Sequence, residues 1–65
     1  MTLKAARVNK NLSQKQAAKL IGISEWTLIN YEQGKRFPDI PVLKKIEEVY
    51  GVEYRDLKFL PDSTV

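Results

Sequence analysis

Apolar positions recur at helical spacing along almost the whole chain. Leu3 and Ala6, with Arg7 beside them, share one face of a first helix, and Asn11 suits a left-handed residue closing it. Ser13-Gln14-Lys15-Gln16 reads as a capping box, in which the Ser13 hydroxyl accepts from the third helical amide and the Gln16 side chain reaches back. The second helix then carries Ala17, Ala18, Leu20 and Ile21 and stops at Gly22. Ser24 is the next N-cap, so a third helix starts almost at once and runs through Leu28 and Tyr31 toward Gly34. Residues 35–41 form the one extended loop, where Pro38 bars helix and Asp39 caps the fourth helix. Leu43, Ile46, Val49 and Tyr50 form the stripe of that helix, which ends at Gly51, and Val52, Tyr54 and Leu57 predict a short fifth turn or helix. The expected core is Leu3, Leu12, Ala18, Ile23, Leu28, Tyr31, Leu43, Ile46, Val49 and Leu57. No repeat or dividing linker interrupts the pattern, which predicts an all-α domain over 1–60 and a frayed tail over 61–65.

Composition narrows what such a domain does. With 65 residues the chain supports one modest core and no deep substrate cavity. It has no Cys and no His, which removes disulfides, thiolate or imidazole metal sites and every nucleophile–His device. A binding module is expected rather than an enzyme, with no cofactor and no metal. No apolar stretch approaches the roughly 18 residues of a membrane span, so the expected location is cytoplasmic. The formal charge of +3 hides an asymmetry. Residues 1–36 carry Lys4, Arg7, Lys10, Lys15, Lys19, Lys35 and Arg36 against Glu25 and Glu32, whereas residues 37–65 are weakly acidic. A basic amino-terminal half fits a side that faces a polyanion.

Gln14 to Gly34 is the informative stretch. Two helices joined by Gly22-Ile23-Ser24 are too tightly connected to pack antiparallel. Gly22 accepts a left-handed conformation, Ile23 plugs the angle, Ser24 caps the next helix, and small Ala18 lets the helices cross closely. A near-perpendicular pair of this kind can lay its second helix in a DNA major groove while the first crosses the phosphate backbone. The run Leu12-Ser13-Gln14 to Ala17-Ala18, Ile21-Gly22-Ile23-Ser24, Leu28, Tyr31-Glu32-Gln33-Gly34-Lys35 and Pro38 resembles the Cro/cI-type helix-turn-helix proteins, the XRE family. Leu43, Ile46, Gly51-Val52 and Leu57 extend the resemblance over roughly residues 3–58. It implies a compact five-helix, lambda-repressor-like domain with a recognition helix over 24–33. It further implies a sequence-specific transcription regulator, a repressor of bacterial, phage or plasmid origin, that binds double-stranded DNA, often as a homodimer on a two-fold site.

The resemblance also implies roles for single residues. Gln14 matches a glutamine that contacts phosphate and buttresses the base readers. Glu25, Trp26 and Asn30 fall where base edges are read, and Thr27 where the backbone is touched. Gln33, Lys35 and Arg36 come next as phosphate grips, with Lys15 and Lys19 reinforcing the positive face. Arg7 and Glu32 match a partly buried ion pair between the first and third helices. Glu25 and Trp26 depart from a simple DNA reader, because a carboxylate is repelled by phosphates unless cytosine N4 rewards it. With Ile29 beside them they also fit a protein partner, which leaves a second reading: a phage-type antirepressor or modulator using the same helix face. Tyr54, Phe59 and Leu60 are the apolar candidates for a dimer contact; the competing expectation is that Phe59 and Leu60 complete the monomer core.

Overall fold

Local capping decides where each helix begins and ends. The computed structural model describes residues 1–59, which form α1 (Leu3–Asn9), α2 (Gln14–Ile21), α3 (Glu25–Glu32) and α4 (Ile40–Tyr50). The hydroxyl of Thr2 accepts from the Ala5 amide at 3.1 Å, and Asp39 Oδ1 accepts from Val42 at 3.1 Å. Ser13 and Gln16 close the capping box at 3.0 and 2.9 Å, and Ser24 Oγ accepts from the Thr27 amide at 3.0 Å. Five backbone amides at helix starts that would otherwise go unpaired are thereby satisfied. At the other ends, Asn11 takes φ 59° after α1, and Gly22 takes φ 90° with its N–H donated to the Ala18 carbonyl. A side chain at Gly22 would meet no neighbour, so glycine stands there for its backbone alone.

The expected fifth helix is a single 3-10 turn, Tyr54–Asp56. Glu53 before it supplies no cap, the turn's first amide at Tyr54 donating instead to Glu47 Oε2 of α4 at 2.6 Å, and Leu57 behind it is already extended at φ −99°, ψ 138°. The chain straightens there to pair with its own beginning: Lys58 N–H donates to the Met1 carbonyl at 2.7 Å, in a parallel bridge between Thr2 and Lys58. An extended ladder and a continuing helix exclude one another, and the ladder prevails because a helix nucleus of one turn is costly. Leu60 and the tail 61–65 lie outside the described residues.

Ala17, Ala18 and Ile21 on the inner face of α2 lie in one core with Leu3, Ala6, Leu28, Tyr31, Ile46, Tyr50 and Leu57. Two alanines on that face let neighbouring helices approach closely. Leu12, Ile23, Leu43 and Val49, expected as core, are only half-buried, because they rim this layer rather than fill it. Leu20 departs further at 53 % exposed: Ile21 already takes the inward direction, and the next residue back points outward. Phe59 is half-buried, with its ring edge-on to Phe37 at 6.3 Å, while Tyr54 stays exposed. These rings, with Pro38, Ile40 and Leu43, border an apolar concavity of about 560 Å³. Among the described residues no helix is long and apolar enough to cross a membrane.

One polar cluster sits inside this apolar frame. Arg7 Nε donates to Glu32 Oε2 at 2.7 Å, and the two side chains are only 9 % and 5 % exposed. The Arg7 guanidinium also donates through Nη1 to the Leu12 carbonyl at 2.8 Å, and Gln14 Nε2 donates to Glu32 Oε1 at 3.1 Å. Four segments are thus joined: α1, the connection after it, the first residue of α2 and the last of α3. The Tyr50 hydroxyl of α4 is buried and has no hydrogen-bond partner among the described residues. Burial, reinforced by the Glu32 charge and partly offset by Arg7, pushes its pKa up to about 12.

Arg7→Met alone strands a buried carboxylate and costs about 3–5 kcal/mol, which approaches the whole stability of a domain this size. Arg7→Met combined with Glu32→Leu recovers part of that loss in urea unfolding, although Leu12 keeps an unpaired carbonyl. A double variant as unstable as the single one contradicts this role for the pair. Because the folded pKa of Tyr50 lies above its unfolded value, its contribution is intact below about pH 10 and fades as pH rises toward 12. Tyr50→Phe leaves stability at pH 7 unchanged or raised. Between pH 9 and pH 11 the parent loses about 1.4 kcal/mol more than this variant. Parallel pH profiles for the two proteins would refute the assignment.

Candidate nucleic-acid interface

With Leu28 and Tyr31 buried, the opposite side of α3 is left to solvent. Trp26, Asn30 and Gln33, spaced by four and then three residues, share one outward ridge. Trp26 is 60 % exposed, Gln33 is exposed and Asn30 is half-exposed. Ile29 flanks the ridge, half-buried, and Glu25 is exposed at its start with no ion-pair partner among the described residues. The Asn30 amide donates to the Trp26 carbonyl one turn earlier at 2.8 Å. Its side-chain carbonyl and second N–H make no hydrogen bond among the described residues.

The chain after α3 doubles back over this ridge. Gly34 takes φ 78°, and the amides of Lys35 and Arg36 both donate to the Asn30 carbonyl, at 2.9 and 3.4 Å. The reversal carries the Arg36 guanidinium over the Trp26 indole, its central carbon 5.3 Å from the ring centroid. Arg36 is therefore a cation stacked on the face of α3 rather than a free loop charge. Lys35 is exposed beside it.

The remaining candidates are spread more widely. Gln14 is half-buried, and one of its N–H groups is committed to Glu32, which leaves the other free. The Thr27 hydroxyl accepts from Ser24 Oγ at 2.8 Å. Lys15 and Lys19 are exposed on α2. Trp26, Asn30 and Arg36 thus form one contiguous group, Gln14 joins the buried pair, and the lysines stand apart. Neither the Trp26–Arg36 stack nor the Gln14–Glu32 bond is foreseeable from periodicity. Each depends on where a side chain lies after a turn, and only Gly34 signals that the chain reverses there.

Three features coincide here: two short helices joined at Gly22, an outward ridge on the second, and the Arg36 guanidinium over that ridge. The sequence pattern of the helix-turn-helix family matches residues 3–57. The chain is 37 % identical to an uncharacterised HTH-type transcriptional regulator of Methanocaldococcus jannaschii, over 94 % of this chain and 92 % of that protein. It is 33 % identical to the cryptic phage CTXphi transcriptional repressor RstR of Vibrio cholerae, over 78 % of this chain. With multiprotein-bridging factor 1a of Arabidopsis thaliana the identity is 36 % over 82 % of this chain. It spans only 46 % of the repressor and 37 % of the bridging factor. No solved structure gives a significant match. A family match across nearly all of the helical frame, with regulators among its relatives, means that the chain belongs to the XRE-type helix-turn-helix family.

Proposed function

We propose that the protein is a sequence-specific DNA-binding regulator of transcription, acting as a repressor, with α3 in the major groove. The observation that carries this reading is the outward ridge of α3, held to α1 and α2 by the buried Arg7–Glu32–Gln14 cluster. Asn30 pairs with adenine through its carbonyl and one N–H, while its other N–H stays on the Trp26 carbonyl. Glu25 accepts from cytosine N4, and the Trp26 indole packs against a thymine methyl. The free N–H of Gln14, with Lys15, Thr27, Gln33 and Lys35, grips phosphates and supplies affinity without sequence information. The repressor name of the Vibrio cholerae relative supports the direction of the effect.

A second reading keeps the same ridge but gives it a protein partner, as in an antirepressor or modulator. Exposed Trp26, half-buried Ile29 and unpaired Glu25 favour it, as do relatives named multiprotein-bridging factors. Its partner would be another helix-turn-helix regulator, encoded beside this chain.

Selection from a random pool of short duplexes at two salt concentrations separates the readings. The DNA reading expects an enriched sequence whose affinity falls steeply as salt rises. Lys35→Ala lowers affinity for every duplex and reduces the salt slope by about one. Asn30→Ala weakens discrimination at a single base pair by about 1–3 kcal/mol. If no duplex is enriched even at low salt, while the product of the adjacent gene is retained by the parent and lost by Trp26→Ala, the modulator reading takes its place.

A further inference from the structure

The Trp26–Arg36 stack is not accounted for by a phosphate grip. A phosphate contact needs only a positive charge near the backbone, and an unrestrained lysine or arginine beyond the helix end meets that need. Here the reversal after Gly34 instead carries Arg36 back along α3, with its guanidinium above an indole that is itself 60 % exposed on the outward ridge. The cation–π contact holds the guanidinium over the ring face, 5.3 Å from its centroid, which restricts where its planar fork of donors can lie. Among the described residues neither Glu25 nor any other carboxylate pairs with it, so the fork is not spent on a neighbouring acid there. A planar, donor-only fork is complementary to paired acceptors, and the base edge that presents such a pair in the major groove is guanine O6/N7.

The geometry points to Arg36 as a guanine-reading side chain, with Trp26 as the residue that positions it. This rests on the DNA-binding reading above and replaces a phosphate role for Arg36 by a base-specific one. The target then contains a G·C pair facing the Trp26 side of α3, next to the pair read by Asn30. Trp26 acts on that G·C pair through Arg36, whatever contact its own indole makes elsewhere.

The test has one arm without DNA and one with it. Trp26 is the only tryptophan, so its emission reports the stack directly. Arg36→Ala makes that emission more readily quenched by acrylamide, and an unchanged response means there is no stack in solution. In the second arm, the base preferences of the parent, Arg36→Lys, Trp26→Ala and Trp26→Phe are compared by the same duplex selection, after circular dichroism has shown each to be folded. Arg36→Lys keeps the charge and the salt slope but loses about tenfold in preference for guanine at one position. Trp26→Ala relaxes that same position, and Trp26→Phe, which keeps an aromatic face, relaxes it less. A lysine variant with the parental preference overturns the inference, and so does relaxation of different positions by the two residues. In either case duplex enrichment by the parent still stands, so the DNA-binding reading survives. A parent that enriches no duplex overturns both.

Discussion

The buried Arg7–Glu32 pair is the constraint on which the rest of the structure depends. It joins the first helix to the end of the third, and through Gln14 it also holds the start of the second. In an apolar environment two charges of this kind persist only with near-complete hydrogen bonding. Here Leu12 supplies the acceptor that Arg7 still needs, and Gln14 supplies a donor to Glu32. Apolar packing is non-directional, so the aliphatic core permits several tilts of one short helix on another. A pair bonded at two points, Arg7 Nε to Glu32 Oε2 and Nη2 to Oε1 at 3.4 Å, tolerates few. The orientation of α3 is therefore defined by polar geometry, while its attachment is provided by Leu28 and Tyr31.

The Tyr50 hydroxyl shows how tightly that cluster is enclosed. A phenol with no partner among the described residues costs some stability, and its ring is retained as one of the largest fully buried side chains. The same enclosure keeps water from the ion pair, which strengthens it. The polar interior and the aromatic core are thus one arrangement: ring burial lowers the local dielectric response, and the ion pair makes use of it.

Most of the fold is legible in the sequence because capping is local chemistry. Ser13, Ser24, Asp39, Gly22 and Gly51 each act within four residues of their own position, so sequence alone places the helix ends. The fifth helix is the exception because the interaction that ends it is distant: Leu57 and Lys58 are drawn straight by an extended segment at the opposite end of the chain. Leu20 shows the limit of composition, since it is apolar and helical yet competes for a stripe that its neighbour Ile21 already fills. At the site, the ridge of Trp26, Asn30 and Gln33 is readable from spacing. The positions of Arg36 and of the Gln14 amide are not, because both depend on long side chains crossing between segments.

The outward ridge of α3 and its inward face divide the helix into two almost independent inheritances. Leu28, Tyr31 and Glu32 answer to the interior, and changing them endangers folding. Trp26, Asn30, Gln33 and Arg36 contribute little to the interior, because their side chains end in solvent or on one another. Such residues can drift with small penalties in stability, since surface substitutions away from caps and buried networks are nearly neutral. The surface chemistry of α3 can therefore change in a few steps without first passing through an unfolded intermediate. The frame and the ridge thus meet on one helix of eight residues, yet answer to separate constraints.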